Sequence, residues 1–307
     1  MKLSIVATLY QSALYVEEFC QRATASARDL VGDDYEIILV NDGSPDNSLE
    51  VAIGLMENDS HIVIVDLSRN FGHHKAMMTG LSYAKGDKVY LLDSDLEESP
   101  EWLLEFDNKL QGDACDVVYG VQAERKGGFV ERFSGDGFYT VLDFLTDLNL
   151  PRNIVTARLM TRRYVDALLL HRDQEVFIAG LWHITGFTQV PHVVKKLSSS
   201  ETTYTFRRKA SVLVNSATSF SNFPLKAIFY IGMIVFLTSL IYISYLVAMK
   251  LFWAQTLGGW TSIMASIWLL GGMIISFIGV IGIYLSKVFS EVKNRPYTIV
   301  RRVYGKS

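Results

Sequence analysis

Val89-Tyr-Leu-Leu-Asp-Ser-Asp-Leu-Glu-Glu-Ser-Pro100 decides how the rest of the chain is read. It opens as a short apolar run of strand length. The run ends at Asp93 and Asp95, two carboxylates with one small residue between them, and Glu97 follows. Ser99, Pro100 and Glu101 then supply an N-cap, a first-turn proline and a first-turn acid, which is how a helix starts. A strand that delivers paired carboxylates at its carboxyl end places them where open parallel sheets bind ligands. Hard oxygen donors of this kind suit Mg²⁺ or Mn²⁺, and such an ion usually shares its shell with substrate phosphates. Asp-Ser-Asp is also an ordinary solvated turn. The strand before it, the third acid after it and the turns upstream favour the ligand site.

Working outward, strand patterns at residues 3–9, 35–40, 61–67 and 88–92 alternate with helical patterns at 16–30, from about Asp46, and at 75–84. A helix at 103–110, a strand at 117–120, a long helical pattern over 129–148 and a strand at 188–194 follow. This alternation predicts an α/β fold with a mostly parallel sheet. Three further turns sit at strand carboxyl ends. The first is Thr8-Leu-Tyr-Gln-Ser12. The second is Val40-Asn-Asp-Gly-Ser-Pro-Asp-Asn-Ser48, where Asp42 can accept from a base or a ribose. The third is Leu67-Ser-Arg-Asn-Phe-Gly-His-His-Lys-Ala76, which groups Arg69, Asn70, His73 and Lys75 at a helix start, a natural anion site. His73 and His74 are adjacent on that helix, point in different directions and make a poor joint metal pair.

The carboxyl-terminal third is different in kind. No charged residue occurs from Ala227 to Met249 or from Ala254 to Ser286. About 20 helical residues cross a roughly 30 Å hydrocarbon core, so each stretch is long enough to span. Arg207, Arg208, Lys209 and Lys226 precede the first stretch, and Lys287, Lys293, Arg295, Arg301, Arg302 and Lys306 follow the second. The positive-inside rule then puts the amino-terminal domain and both termini in the cytoplasm. Residues 207–222 have apolar positions spaced for an amphipathic helix, either at the membrane surface or in a core, and their place before the first span favours the surface. Gly272, Ser276 and Gly279 share one helical face, which suits close helix contact within a hairpin or in a homo-oligomer. The expected division is therefore 1–206 as a cytoplasmic domain, 207–222 as a juxtamembrane helix, 223–286 as a two-helix hairpin and 287–307 as a basic tail.

Composition excludes some classes. The 307 residues carry 29 Lys and Arg against 32 Asp and Glu, so no excess of positive charge suggests a nucleic-acid partner. Cys20 and Cys115 lack ligand-like spacing, which fits a reducing compartment. No secretory leader is evident at the amino terminus.

Taken in order, Val-Asn-Asp-Gly-Ser-x-Asp-x-Ser, Ser-Arg-Asn-Phe-Gly-His and Asp-Ser-Asp-Leu-Glu, followed by two spans, resemble the family 2 glycosyltransferases. Within them the chain is most similar to the polyprenyl-phosphate glycosyltransferases, the group of dolichyl-phosphate mannose synthase and the bactoprenol glucosyltransferases. The resemblance implies a GT-A type nucleotide-sugar domain, a UDP- or GDP-sugar donor, a divalent metal and an inverting transfer of one hexose or N-acetylhexosamine. The acceptor it implies is undecaprenyl or another polyprenyl phosphate in the inner, cytoplasmic membrane, for cell-surface glycan synthesis.

Carried over by position, the resemblance implies that Thr8, Tyr10, Asp42, Asn70 and Lys75 serve the donor nucleotide. Asp93 would contact the donor's ribose or sugar side, and Asp95 and Glu97 would hold the metal, with Asp93 and Asp95 as the catalytic pair. Arg125, Arg132, Lys196, Tyr204 and Arg207 would contact phosphates of donor or acceptor. The chain departs from the family in three places: Glu97 replaces a usual glutamine, the first turn lacks the Pro-x-Tyr-Asn-Glu form, and Thr156-Ala-Arg-Leu-Met160 stands where Asp-Phe-Arg-Leu is usual. That last change removes a candidate base. A polyprenyl phosphate already carries an anionic oxygen, since its second pKa lies near 6, and needs positioning more than deprotonation. Two rivals stay open: transfer to a sugar hydroxyl of a lipid-linked or surface polysaccharide, and a non-catalytic membrane partner that only binds nucleotide sugars.

Overall fold

The computed structural model describes residues 1–122, 153–174, 176–196, 221, 223–253 and 259–305. Strands β1 (Leu3–Leu9), β2 (Tyr35–Asn41) and β3 (Ile62–Leu67) are buried along their whole length. That is the pattern of parallel strands covered on both faces, and their Val, Ile and Leu content suits it. With β4 (Lys88–Leu91) they form a parallel core in the order β3-β2-β1-β4. Helices α1 (Val16–Val31), α2 (Ser48–Asn58), α3 (His73–Tyr83) and α4 (Trp102–Gly112) connect and cover these strands. Leu3, Ile5, Ile37, Leu39, Ile64 and Tyr90 form the main core with Phe19 and Ala23 of α1 and Phe106 of α4. On α3, a Cβ at Gly80 would fall 2.5 Å from Val6 Cγ1 and 2.8 Å from Val40 Cγ2, so the glycine lets that helix lie close on the sheet.

Past β4 the sheet changes direction. β6 (Ile154–Thr161) lies antiparallel between β4 and β5 (Val117–Gln122), and β7 (Gln189–Val194) continues parallel to β5. Short helices α5 (Arg162–Leu168) and α6 (Ile178–Ile184) follow β6. At the other edge β8 (Val300–Tyr304) pairs antiparallel with β3, completing eight strands among the described residues. The observed strands match the expected ones closely as far as β5. Sequence reasoning did not anticipate β6 or β8 as strands, and the long helical pattern at 129–148 lies outside the described residues.

β8 revises the expected division of the chain. Helix α8 (Trp260–Val292) runs past residue 286, and the segment after Asn294 belongs with the sheet-bearing unit instead of forming a tail. Val-Arg-Arg-Val-Tyr reads as a basic tail because of its charges, yet an edge strand tolerates charge well. Arg301 uses its charge directly: Nη1 lies 3.5 Å from Asp66 Oδ2, and Nη2 donates to the Ser68 carbonyl at 2.6 Å.

The second unit carries α7 (Phe223–Trp253) and α8. Phe223–Tyr242 and Leu269–Val292 are long and apolar enough to cross a membrane, with mean hydropathies of 1.9 and 2.1, and neither is buried within the protein. No heavy atom lies within 4 Å of where a Cβ would sit on Gly272 or Gly279, so that small-residue face makes no close contact among the described residues. The amphipathic segment at 207–222 lies outside the described residues, apart from Ser221.

Candidate active site

Four turns meet at the carboxyl edge of β1–β4, and the sequence ties them to one another. Asp46 joins the second turn to the first. Its carboxylate accepts from the Ser44 and Ser48 hydroxyls and the Ala13 amide, and these bonds hold its pKa down to about 2 against the cost of burial. Ser48 and Ser44 in turn accept from the amides of Ser12 and Gln11 at 2.9 and 2.8 Å. Asp42 joins the second turn to the third, accepting from the Phe71 and Gly72 amides at 2.7 and 3.0 Å. Gly43 allows this approach: its φ is +60°, and a Cβ there would lie 2.5 Å from the backbone of Arg69 and Asn70. Ser94 closes the circuit, donating to the Thr8 carbonyl at 2.7 Å.

The carboxylates of the fourth turn have unequal surroundings. Asp93 is gripped from two sides: His73 Nε2 lies 3.1 Å from Oδ1, and the Thr156 hydroxyl donates to Oδ2 at 2.9 Å. Burial disfavours its charge, but His73, Thr156 and the more distant Lys196 outweigh it and hold Asp93 below the usual carboxylate range. His73 is raised in return, burial being overcome by Asp93, Asp42 and Asp95, and its Nδ1 lies 3.0 Å from Thr8 Oγ1. Asp95 accepts from the Glu97 amide at 3.0 Å. Burial and then the charges of Asp93 and Glu97 push its pKa up.

Glu98 is wholly buried. It accepts from the Thr156 amide at 2.9 Å, and burial followed by repulsion from Asp93 pushes its pKa up to about 8.

Two expected roles are redirected here. Glu97 and Lys196 face each other, with Nζ 2.9 Å from Oε2 and 3.9 Å from Glu98 Oε1. The extra negative charge at position 97 is thus neutralised by a lysine that had been expected on a phosphate, and burial raises the energetic need for that pairing. Asp42, expected to face a base or ribose, spends both oxygens on the third turn. Thr8, Tyr10, Asn70 and Lys75 all lie at this carboxyl edge, with Thr8 buried and Tyr10 and Asn70 exposed. Arg125, Arg132, Tyr204 and Arg207 lie outside the described residues.

Among the described residues no three His, Cys, Asp or Glu side chains converge in a geometry that holds a metal. The site fits the other mode of binding, in which Mg²⁺ or Mn²⁺ takes one or two carboxylates and completes its shell with substrate phosphates and water. Asp95 suits this, because a cation would relieve the repulsion that raises its pKa.

Sequence reasoning missed the support roles of His73, Thr156 and Glu98. His73 was visible beside the third glycine turn, but its partner Asp93 lies in the turn after β4. Thr156 stood out only as a missing acid. A carboxylate there would face Asp93, whereas the threonine hydroxyl donates to it.

Residues 4–169 match glycosyl transferase family 2. The chain belongs to that family, and its sheet is the GT-A type expected. A chain described as a putative glycosyltransferase, from Mycobacterium tuberculosis (strain CDC 1551 / Oshkosh), is 51% identical over 305 residues, covering 99% of this chain and 89% of the relative. The bactoprenol glucosyl transferase of Shigella phage SfII is 29% identical over 306 residues, covering 98% of each. Among solved structures, the mannosyltransferase PcManGT from Pyrobaculum calidifontis, in complex with GDP-Man and Mn²⁺, shares the fold with a TM-score of 0.50 at 15% identity. It covers 95% of this chain and 86% of its own.

Proposed function

We propose that this glycosyltransferase moves one sugar from a nucleotide-diphosphate sugar to a polyprenyl phosphate, with inversion at the anomeric carbon. The observation that carries the reading is the unequal acidic corner. Asp93 is fixed by His73 and Thr156, while Asp95 is left with one backbone donor and an unfavourable negative neighbourhood. The names of the bactoprenol relatives support the acceptor class.

Asp95 would hold the divalent ion, which when bound neutralises the departing nucleoside diphosphate. Asp93, kept ionised and oriented by its two partners, fixes the donor's ribose or sugar hydroxyls. Glu97 and Lys196 neutralise each other beside it and keep the net charge of the corner near that of two carboxylates. An acceptor phosphate oxygen attacks as the sugar–diphosphate bond breaks, and no proton has to move. That fits Thr156 at the position where a base is usual. Tyr10, Asn70 and Lys75 flank the same edge as nucleotide contacts, and Arg125, Arg132, Tyr204 and Arg207 remain proposed phosphate contacts.

Localisation follows from connectivity. Chain that leaves the sheet after β7 passes through two apolar helices and rejoins it at β8. If both helices cross a membrane, the crossings are even in number, and sheet and carboxyl-terminal segment share one side. The lysine and arginine distribution makes that side cytoplasmic.

The test uses the purified full chain in detergent with labelled UDP- and GDP-sugars and a short polyprenyl phosphate, with and without Mg²⁺ or Mn²⁺. Metal-dependent transfer of label to the organic phase is expected, reduced by about 100-fold or more in Asp95→Asn, the scale set by losing charge stabilisation at a leaving group. Label transferred only to a glycan-bearing lipid would overturn the acceptor assignment.

A further inference from the structure

Arg158 is a charged side chain in the core, and among the described residues it forms no ion pair. It sits in the middle of β6, opposite Leu91 of β4 and Tyr119 of β5, and is only 2% exposed. Its guanidinium lies over the Trp182 ring, and Nε donates to the Thr156 carbonyl at 3.2 Å. Among the described residues no carboxylate comes within ion-pair distance of it. Burial accordingly pulls its pKa down to about 9, an unusual depression for a guanidinium. A buried cation without a counterion is costly, and proteins rarely keep one unless something pairs with it.

The side chain also lines a cavity of about 330 Å³, together with Tyr119, Trp182, His183, Phe187 and Gln189. Aromatic walls with a few polar groups around one cation make a receptacle for a polar ligand that carries a negative charge. Its place in the fold connects it to the acidic corner. Thr156 and Arg158 are two apart on one strand, hence on the same face of the sheet, and Thr156 already touches Asp93. β6 itself carries no acidic residue that could answer this guanidinium.

We infer that the Arg158 pocket is a binding site for an oxyanion carried by a substrate, held by the guanidinium beneath the acidic corner. The inference rests on the reading of that corner as a glycosyl-transfer site. A carboxylate on the donor sugar and the phosphate of the acceptor share this chemistry, and the experiment separates them.

The full chain in detergent is melted with UDP-glucose, with UDP-glucuronate, and with a short-chain polyprenyl phosphate, all at matched ionic strength. Arg158→Met and Arg158→Lys are melted alongside. Arg158→Met should melt at or above the wild-type temperature without ligand, since it removes a buried charge and keeps the volume. It should also lose at least about tenfold in affinity for one anionic ligand while UDP-glucose binding is unchanged, the loss expected for a charge-assisted hydrogen bond. Arg158→Lys should keep part of that affinity. Loss confined to UDP-glucuronate places the oxyanion on the donor; loss confined to the lipid phosphate places it on the acceptor. The inference is overturned if both anions bind Arg158→Met as they bind wild type, or if that variant melts far below wild type without ligand, which would make the arginine a purely structural group. UDP-glucose reports separately on the glycosyl-transfer reading, since failure of all three ligands on wild type would sink both.

Discussion

His73 and Glu98 in the acidic corner both hold their protons more tightly in the folded protein, and each gives a signed expectation. The His73–Asp93 pair has a raised histidine and a lowered aspartate. Its stabilisation is present above the ordinary aspartate value of about 3.9 and is lost as pH climbs from about 6.5 through the raised histidine value. His73→Gln keeps hydrogen-bonding capacity without the charge. Thermal melts should show the largest gap from wild type near pH 5–6 and a closing gap above pH 8. Because the imidazole is half-exposed, solvent screening limits the gap to about 1 kcal/mol or less. Glu98 also loses stability as pH rises, but over a lower window. With a folded pKa near 8, the folded state holds a proton that the unfolded chain releases above about 4.3, so this group erodes stability from there up to pH 8. Glu98→Gln keeps an acceptor for the Thr156 amide and removes that erosion. Its melting temperature relative to wild type should rise between pH 5 and pH 8, and a flat difference would refute the assignment. Neither behaviour was legible in the sequence: Glu98 looks like one more acid beside Glu97, and its partners lie 5 and 58 residues away.

At the scale of elements, the parallel core was legible because each strand is a mostly apolar run that ends in a polar turn. The strands that were missed carry arginines. Arg158 in β6 and Arg301 and Arg302 in β8 break the hydrophobic pattern from which strands are recognised. In β6 the arginine sits in the pocket described above, and in β8 the charges lie at an edge. The turns were recognised as a series, but their mutual bonding was not, since it depends on which loops the sheet order brings together. Gly43→Ala tests that bonding. The substitution meets both a left-handed φ and a backbone clash, so it should destabilise the domain by about 1–3 kcal/mol and weaken nucleotide binding, both readable from melts with and without ligand. Val303→Pro tests β8. Val303 pairs with Val65, and proline in that ladder should release the edge of β3 and raise protease sensitivity near Ser68.

At the scale of the whole molecule, the two apolar helices lie between strands of one sheet, and this constrains topology more tightly than either helix alone. Tags at Met1 and after Gly305 should be protected from an impermeant reagent in intact cells and exposed in sealed inverted vesicles, whereas a cysteine placed at Gly259, between the helices, should show the reverse pattern. Equal reactivity at all three positions would contradict a two-crossing arrangement.

The pairing of β8 with β3 also sets an order on biosynthesis. Ser68 and Arg301 are 233 residues apart, and both apolar helices are made between them. At roughly 5–20 residues per second, the outer edge of β3 waits about 10 to 50 seconds for its partner strand. During that interval the nascent domain exposes an unpaired hydrophobic edge while the two apolar helices are still being made. The sheet is sealed only by chain made after the second helix, so a product truncated within either helix leaves an open edge that proteases and chaperones can detect.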